Sequence, residues 1–200
     1  MKNPLLNSDE SPPPKDLIES PPIHGSEASI GPMLCGDIDM RIDRNGTWYY
    51  HGSPIGRQEL VKLFASVLKR DETGDFWLIT PVEKARIQVE DAPFLAVELM
   101  RDGTGQGQKL TIRTNIDEIV TIDSDHPLEV EFDPKTKEPA PYVTLRSGIR
   151  ARLSRPVYYE LVELGEEAPH KQDVYYGIWS CKTFFPLGKL HDDDDEQEVT

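Results

Sequence analysis

The stretch TPVEKARIQVEDAPF, Thr80 to Phe94, joins two apolar runs, DFWLI and LAVELM, and is heavily charged for a strand connection. If RIQVE is a strand, Arg86, Gln88 and Glu90 share one face, with Ile87 and Val89 on the other, because side chains alternate along a strand. Lys84 and Glu83 lie just before it. A row of Lys84, Arg86 and Glu90 could hold a phosphate through its cations and a hydroxyl or base edge through its acid. The same row could equally be a solvent-facing side of a sheet whose charges pair across strands, each pair contributing little. A further chemistry, Glu83 or Glu90 acting as acid or base beside Lys84, requires a deep cleft and a strongly shifted ionisation.

Other motifs carry less. The glycine-rich GTGQGQ, Gly103 to Gln108, joins two strands and opens no helix. It lacks the helix amides that make a dinucleotide or P-loop site, and reads as a mobile hairpin tip. SPIGR, Ser53 to Arg57, precedes a helix and reads as its entry. The histidines, His24, His51, His126, His170 and His191, show no H-x-x-x-H pair, and Cys35 and Cys181 have no neighbouring cysteine. A structural zinc site is therefore not expected, nor any other metal or cofactor. No G-x-S-x-G or Ser–His–Asp order occurs, so no constellation forces an enzyme. Cys181 beside Lys182 could be a redox-sensitive thiol or an inert residue at a strand end.

The elements that must position these residues read as follows. GDIDMRID alternates Ile38, Met40 and Ile42, a strand with one buried face; Asn45-Gly46 makes a hairpin turn and TWYYHG returns. GRQELVKLFASVLKRD sets Leu60, Val61, Leu63, Phe64, Val67 and Leu68 on one side of a helix, with Lys69-Arg70 at its C-terminal end. DFWLIT is a strand. From Arg86 onward ARIQVE, FLAVELM, KLTIRT, EIVTI, LEVEFD and YVTLR alternate with period two. PVYYELVEL is a helix, opened by a proline and buried through Val157, Leu161 and Leu164. YYGIWSC is the last strand. The connections look too short for parallel crossovers, so the expectation is α+β: a small hairpin–helix–strand domain (34–81) before a curled antiparallel sheet with a C-terminal helix (82–190). Trp48 and Ile55 are spaced as Tyr142 and Ile149 are, Ser53 aligns with Ser147, and each set leads through a helix to a Trp strand. This is either an internal duplication or two look-alike units.

The ends differ from the middle. Residues 1–33 hold seven of the 17 prolines, two lysines and five acids, and read as a disordered leader. The tail 191–200, HDDDDEQEVT, is an acidic solvated end. Of the net charge of −14, these ends hold nine, which leaves −5 for the middle. Such a balance argues against DNA or RNA as partner, which needs a basic footprint, but allows a local basic pocket. No apolar run approaches the roughly 20 residues of a membrane span, no secretory signal is apparent, and two distant cysteines suit a reduced, cytoplasmic protein.

GSPIGRQELVKLF, TPVEKARIQVEDAPF with its flanks, Thr114-Asn115, DHPLEV, RPVYYELVEL and GIWSCKTFFPLG together resemble a bacterial family of unknown function known mainly from structural genomics. The resemblance runs from about Gly36 to Gly188. It implies an internally duplicated core, a second domain similar to pleckstrin-homology folds, a ligand site between the domains for a nucleotide-like small molecule, and a role in signal transduction. The family's glycines before the paired phenylalanines are replaced here by Ser180-Cys181-Lys182-Thr183. Carried over, the resemblance implies Thr80, Glu83, Lys84, Arg86, Glu90 and Asp91 as ligand-binding residues, with Arg57 and Asn115 facing the same cleft and Arg150, Arg152 and Arg155 as weaker candidates. Two readings lead: a non-enzymatic sensor for a small anion, and a protein-interaction adaptor.

Overall fold

The computed structural model describes residues 33–190; the leader before Met33 and the tail 191–200 lie outside the described residues, as do His24 and His191. Three sheets and two helices make a mostly β molecule. The first sheet contains β1 (Met33–Ile42), β2 (Trp48–Tyr50), β3 (Ser53–Pro54), β4 (Leu68–Arg70), β5 (Phe76–Ile79) and β6 (Glu83–Val89), with α1 (Gln58–Val67) between β3 and β4. Its strand order is β3-β2-β1-β6-β5-β4.

The β1 alternation holds: Met40 and Ile42 are buried. The following turn is tied by Asp43, whose Oδ1 accepts the N–H groups of Asn45 and Thr47, both at 2.9 Å. Of Asn45 and Gly46, only Gly46 takes a positive φ, +74°. Helix α1 buries Val61 and Ala65 and stops at Val67. Leu68, Lys69 and Arg70 form strand β4 instead of a last helical turn, because pairing Leu68 with Leu78 buries both in the sheet.

The second sheet contains β7 (Phe94–Asp102), β8 (Lys109–Thr114), β9 (Ile119–Thr121), β10 (Leu128–Phe132), β11 (Pro139–Arg146) and β12 (Ile149–Leu153), in the order β10-β11-β12-β7-β8-β9. Helix α2 (Arg155–Glu163) follows, with Pro156 in its first turn and Val157 and Leu161 buried. A third, three-stranded sheet closes the described chain: β13 (Glu166–His170), β14 (Asp173–Ser180) and β15 (Thr183–Lys189).

One expectation is corrected. The sheets are mixed, not purely antiparallel: β1 pairs β6 in parallel, and β12 pairs β7 in parallel. No single loop makes these crossovers; each is made by all the elements between the paired strands, so the shortness of individual loops did not forbid them. Helix α2 is followed by three strands, of which YYGIWSC, in β14, is the one legible in the sequence. Strand β6 is flanked by β1 and β5, so the change of sheet falls in the Glu90–Pro93 link.

One contiguous core runs through all three sheets. It includes Ile42, Trp48 and Leu68 from the first sheet, Phe94, Leu110 and Ile149 from the second, and Ile178 and Phe185 from the third. Two runs share an element order of three strands, a helix and three strands: β1 to β6 around α1, and β10 to β15 around α2. In the first run the end strands β1 and β6 pair; in the second, β10 lies against β15. Among the described residues, no helix is long and apolar enough to cross a membrane.

Candidate functional site

The Thr80–Phe94 charges are largely engaged with one another and with neighbouring strands. Thr80 closes the turn between β5 and β6: its Oγ1 accepts the Glu83 N–H at 3.0 Å, and its own N–H donates to the Glu83 carbonyl at 2.9 Å. The Glu83 side chain is exposed. Lys84 Nζ stands 4.0 Å over the Trp77 ring. Arg86 grips Asp37 through Nε (2.6 Å) and Nη2 (2.9 Å), and Asp75 through Nη1 (3.1 Å). The Arg86 guanidinium holds the Asp37 carboxyl below its ordinary value. Glu90 accepts from Arg41 at 3.1 Å. These pairs join β6 to β1 and to the Asp71–Asp75 turn.

The sequence-derived residues are not gathered into one cleft. Thr80 and Glu83 rim an apolar hollow of about 560 Å³ between α1 and the first sheet, walled by Met40, Phe64 and Leu78. Arg86 and Asp91 line a second hollow of about 490 Å³ with Asp37, Arg70 and Asp75. Arg57 sits exposed at the N-cap of α1 without a side-chain capping bond. Asn115 is a clamp: its N–H and Oδ1 exchange bonds with the Leu95 backbone, its Nδ2 donates to the Gly46 carbonyl, and its own carbonyl accepts from Gln58 Nε2. Asp91, in the Glu90–Pro93 link, accepts from Tyr142 Oη at 2.7 Å and from Arg152 Nη1 at 2.6 Å. Burial first, and then this bond, push the Tyr142 phenol up to about 12.

The glycine-rich segment is pinned, in contrast to the expected mobile tip. Cys181 and Lys182, both at positive φ, donate their N–H groups to the carbonyls of Gln108 and Gln106. Gln108 is buried and donates to the Trp179 carbonyl at 2.8 Å. Ser180, in the motif where family glycines were expected, is fully buried and bolts the third sheet to the second: Oγ donates to the Ile122 carbonyl and accepts from the Leu110 N–H.

A third hollow, about 650 Å³, opens where the β1–β2 turn meets the start of α2. Arg44 and Asn45 come from the turn; Arg152, Ser154, Arg155, Tyr158 and Tyr159 come from the end of β12 and the first turns of α2. Leu95 and two prolines, Pro139 and Pro141, make its apolar wall, and Glu138 is its one acid. Among the described residues, the side chains of Arg44 and Arg155 make no hydrogen bond or close ion pair; Arg44 acts on Asp133 only through space. Ser154 makes no side-chain cap, so the α2 entrance keeps its backbone donors for other partners. Three guanidinium groups and two tyrosyl rings around one hollow suit an oxyanion attached to a flat or apolar body. Arg152 and Arg155 were legible as weaker candidates. Arg44 and Asn45 belong to a turn, and Tyr158 and Tyr159 to a helix; nothing local says that the turn reaches the second sheet, so no sequence signal joins them.

Two family models match the chain: residues 21–92 match the N-terminal domain and residues 93–187 the C-terminal domain of DUF1285, described as a protein of unknown function. The junction of the two matches coincides with the Glu90–Pro93 link. The chain is similar to a DUF1285 family protein of Silicibacter pomeroyi DSS-3 of known crystal structure, at 45% identity and a TM-score of 0.74, over 80% of this chain and 85% of that one. A DUF1285 family protein of Shewanella baltica OS155 is 31% identical with a TM-score of 0.50, over 63% of this chain and 91% of that one. No curated protein matches.

Proposed function

From the premise that the chain belongs to the DUF1285 family, whose function is uncharacterised, we propose that it is a non-enzymatic signalling module that binds a small, nucleotide-like anion. The ligand sits in the hollow between the β1–β2 turn and the start of α2. Arg44, Arg152 and Arg155 take its phosphate, and Tyr158 and Tyr159 take its flat part. The observation that carries this reading is the pair of arginines, Arg44 and Arg155, whose side chains have no close partner among the described residues, in a chain of net charge −14. Of the residues first considered, Asp91 and Asn115 act beside this site by fixing its two walls. Lys84, Arg86 and Glu90 act farther off, within the first sheet. The repeated order of three strands, helix and three strands supports an internal duplication: Trp48 and Tyr142 fall in the corresponding strands β2 and β11, and Trp77 and Trp179 in β5 and β14.

Calorimetry against inorganic phosphate, pyrophosphate and a nucleotide panel tests the reading. Wild type is expected to bind at least one of these, and R44A/R155A to lose at least about tenfold in affinity, since each charge-assisted contact is strong. Failure to bind any of them at millimolar concentration, or equal binding by the double variant, would overturn it.

A further inference from the structure

Arg152 belongs to two structures at once. It lines the 650 Å³ hollow, and its Nη1 is 2.6 Å from Asp91 Oδ2. Its side chain is 35% exposed, whereas that of Asp91 is 17% exposed. The other Asp91 oxygen is held by Tyr142, whose ring carries Arg150 at 4.2 Å, and Arg150 in turn pairs with Glu131. Asp91 lies in the link between β6 and β7, between Glu90, which is tied to Arg41 of β1, and the buried Ala92.

Resting on the reading above, we infer that Asp91 is a built-in competitor for the ligand: an anion entering the hollow takes Arg152 from Asp91, and the exchange loosens the link that joins the first sheet to the second. The empty protein keeps Arg152 neutralised by Asp91, so the hollow presents two uncompensated guanidinium groups, not three. A bound phosphate recruits the third by swinging a side chain already exposed on that side. Asp91 is then left with Tyr142 alone, a half-buried carboxylate with fewer donors than it needs. Occupancy and the state of the link are therefore coupled, and the coupling must run both ways: whatever frees Arg152 beforehand tightens binding. Asp91 thus acts as a positioning residue for Arg152, and the link as the element that reports occupancy.

Pyrophosphate is the probe, with wild type, D91N, R152A and D91N/R152A measured by calorimetry. D91N is expected to bind about tenfold more tightly than wild type, a typical size for one coupled contact. Removing the Asp91 charge also favours any anion through space, and the cycle separates the two effects: the gain from D91N is expected to collapse when Arg152 is already alanine. Hydrogen exchange on wild type needs no variant, and amides from Asp91 to Leu95 are expected to exchange faster with saturating pyrophosphate. Binding with an equal D91N gain in both backgrounds, or with unchanged exchange in the link, would overturn the inference and leave the binding site standing. Absence of pyrophosphate binding in every form would overturn the inference; the reading it rests on falls only if inorganic phosphate and the nucleotide panel fail as well.

Discussion

Asp71 uses both carboxylate oxygens to fold one turn. Oδ1 accepts the N–H groups of Thr73 and Asp75, each at 3.0 Å, and the Thr73 hydroxyl at 2.7 Å; Oδ2 accepts the Trp77 indole N–H at 2.7 Å. The Thr73 hydroxyl first, then Trp77 and the backbone donors, hold its ionisation down to about 2, against an ordinary carboxyl's 3.8. A carboxyl whose folded value is depressed stabilises the fold above the unfolded value and loses that contribution as pH falls through the folded one. The Tm difference between wild type and D71N is therefore expected to be full at pH 7 and to shrink between about pH 4 and pH 2. A difference constant across that range, measured by thermal scans of both proteins in the same buffers, would contradict the role. The same logic applies to Asp37, whose carboxyl the Arg86 guanidinium holds down; Asp75 also pairs with Arg86, and Glu90 with Arg41. These side chains are charged because the ion pairs that align β6 with its neighbours need charge, whatever ligand binds elsewhere.

The β1–β2 hairpin matters less for its strands than for its turn. Gly46 has φ +74°, a region side chains disfavour, and a Cβ there would lie 2.6 Å from Asn115 Nδ2. Only glycine lets the turn approach Asn115 closely enough for the bond to the Gly46 carbonyl. The turn in turn carries Arg44 and Asn45 to the hollow. Gly46→Ala is expected to cost about 1–3 kcal/mol in urea denaturation, from backbone strain and the clash together. It is also expected to weaken ligand binding alongside R44A. Stability lost without any change in affinity would mean that the turn is not a wall of the site. The pinned 105–108 segment is a second case of one element serving another. Its Gln106 and Gln108 carbonyls accept the backbone bonds from the β14–β15 turn, which hold the third sheet against the second.

The molecule as a whole is built on one core, and its cooperativity should follow. Residues of all three sheets pack in one cluster, so no sheet has a core of its own to unfold around. Single-tryptophan forms keeping Trp77, in the first sheet, or Trp179, in the third, are expected to report the same urea midpoint, and far-UV circular dichroism to agree. Separated midpoints would show that the sheets unfold independently. By itself the sequence determined most of the elements, because burying one face imposes a period on apolar residues: Met40 and Ile42 on β1, Ile87 on β6, Val157 and Leu161 on α2. It also determined the glycine at the first turn and, through the Thr80–Phe94 motif, the family resemblance. Only the tertiary structure decided which strands are neighbours, since β1 with β6 and β12 with β7 are pairings between distant segments that leave no local pattern. For the same reason Arg86 became a stitch within a sheet, while Arg44, an ordinary turn residue when read along the chain, came to stand opposite Arg155.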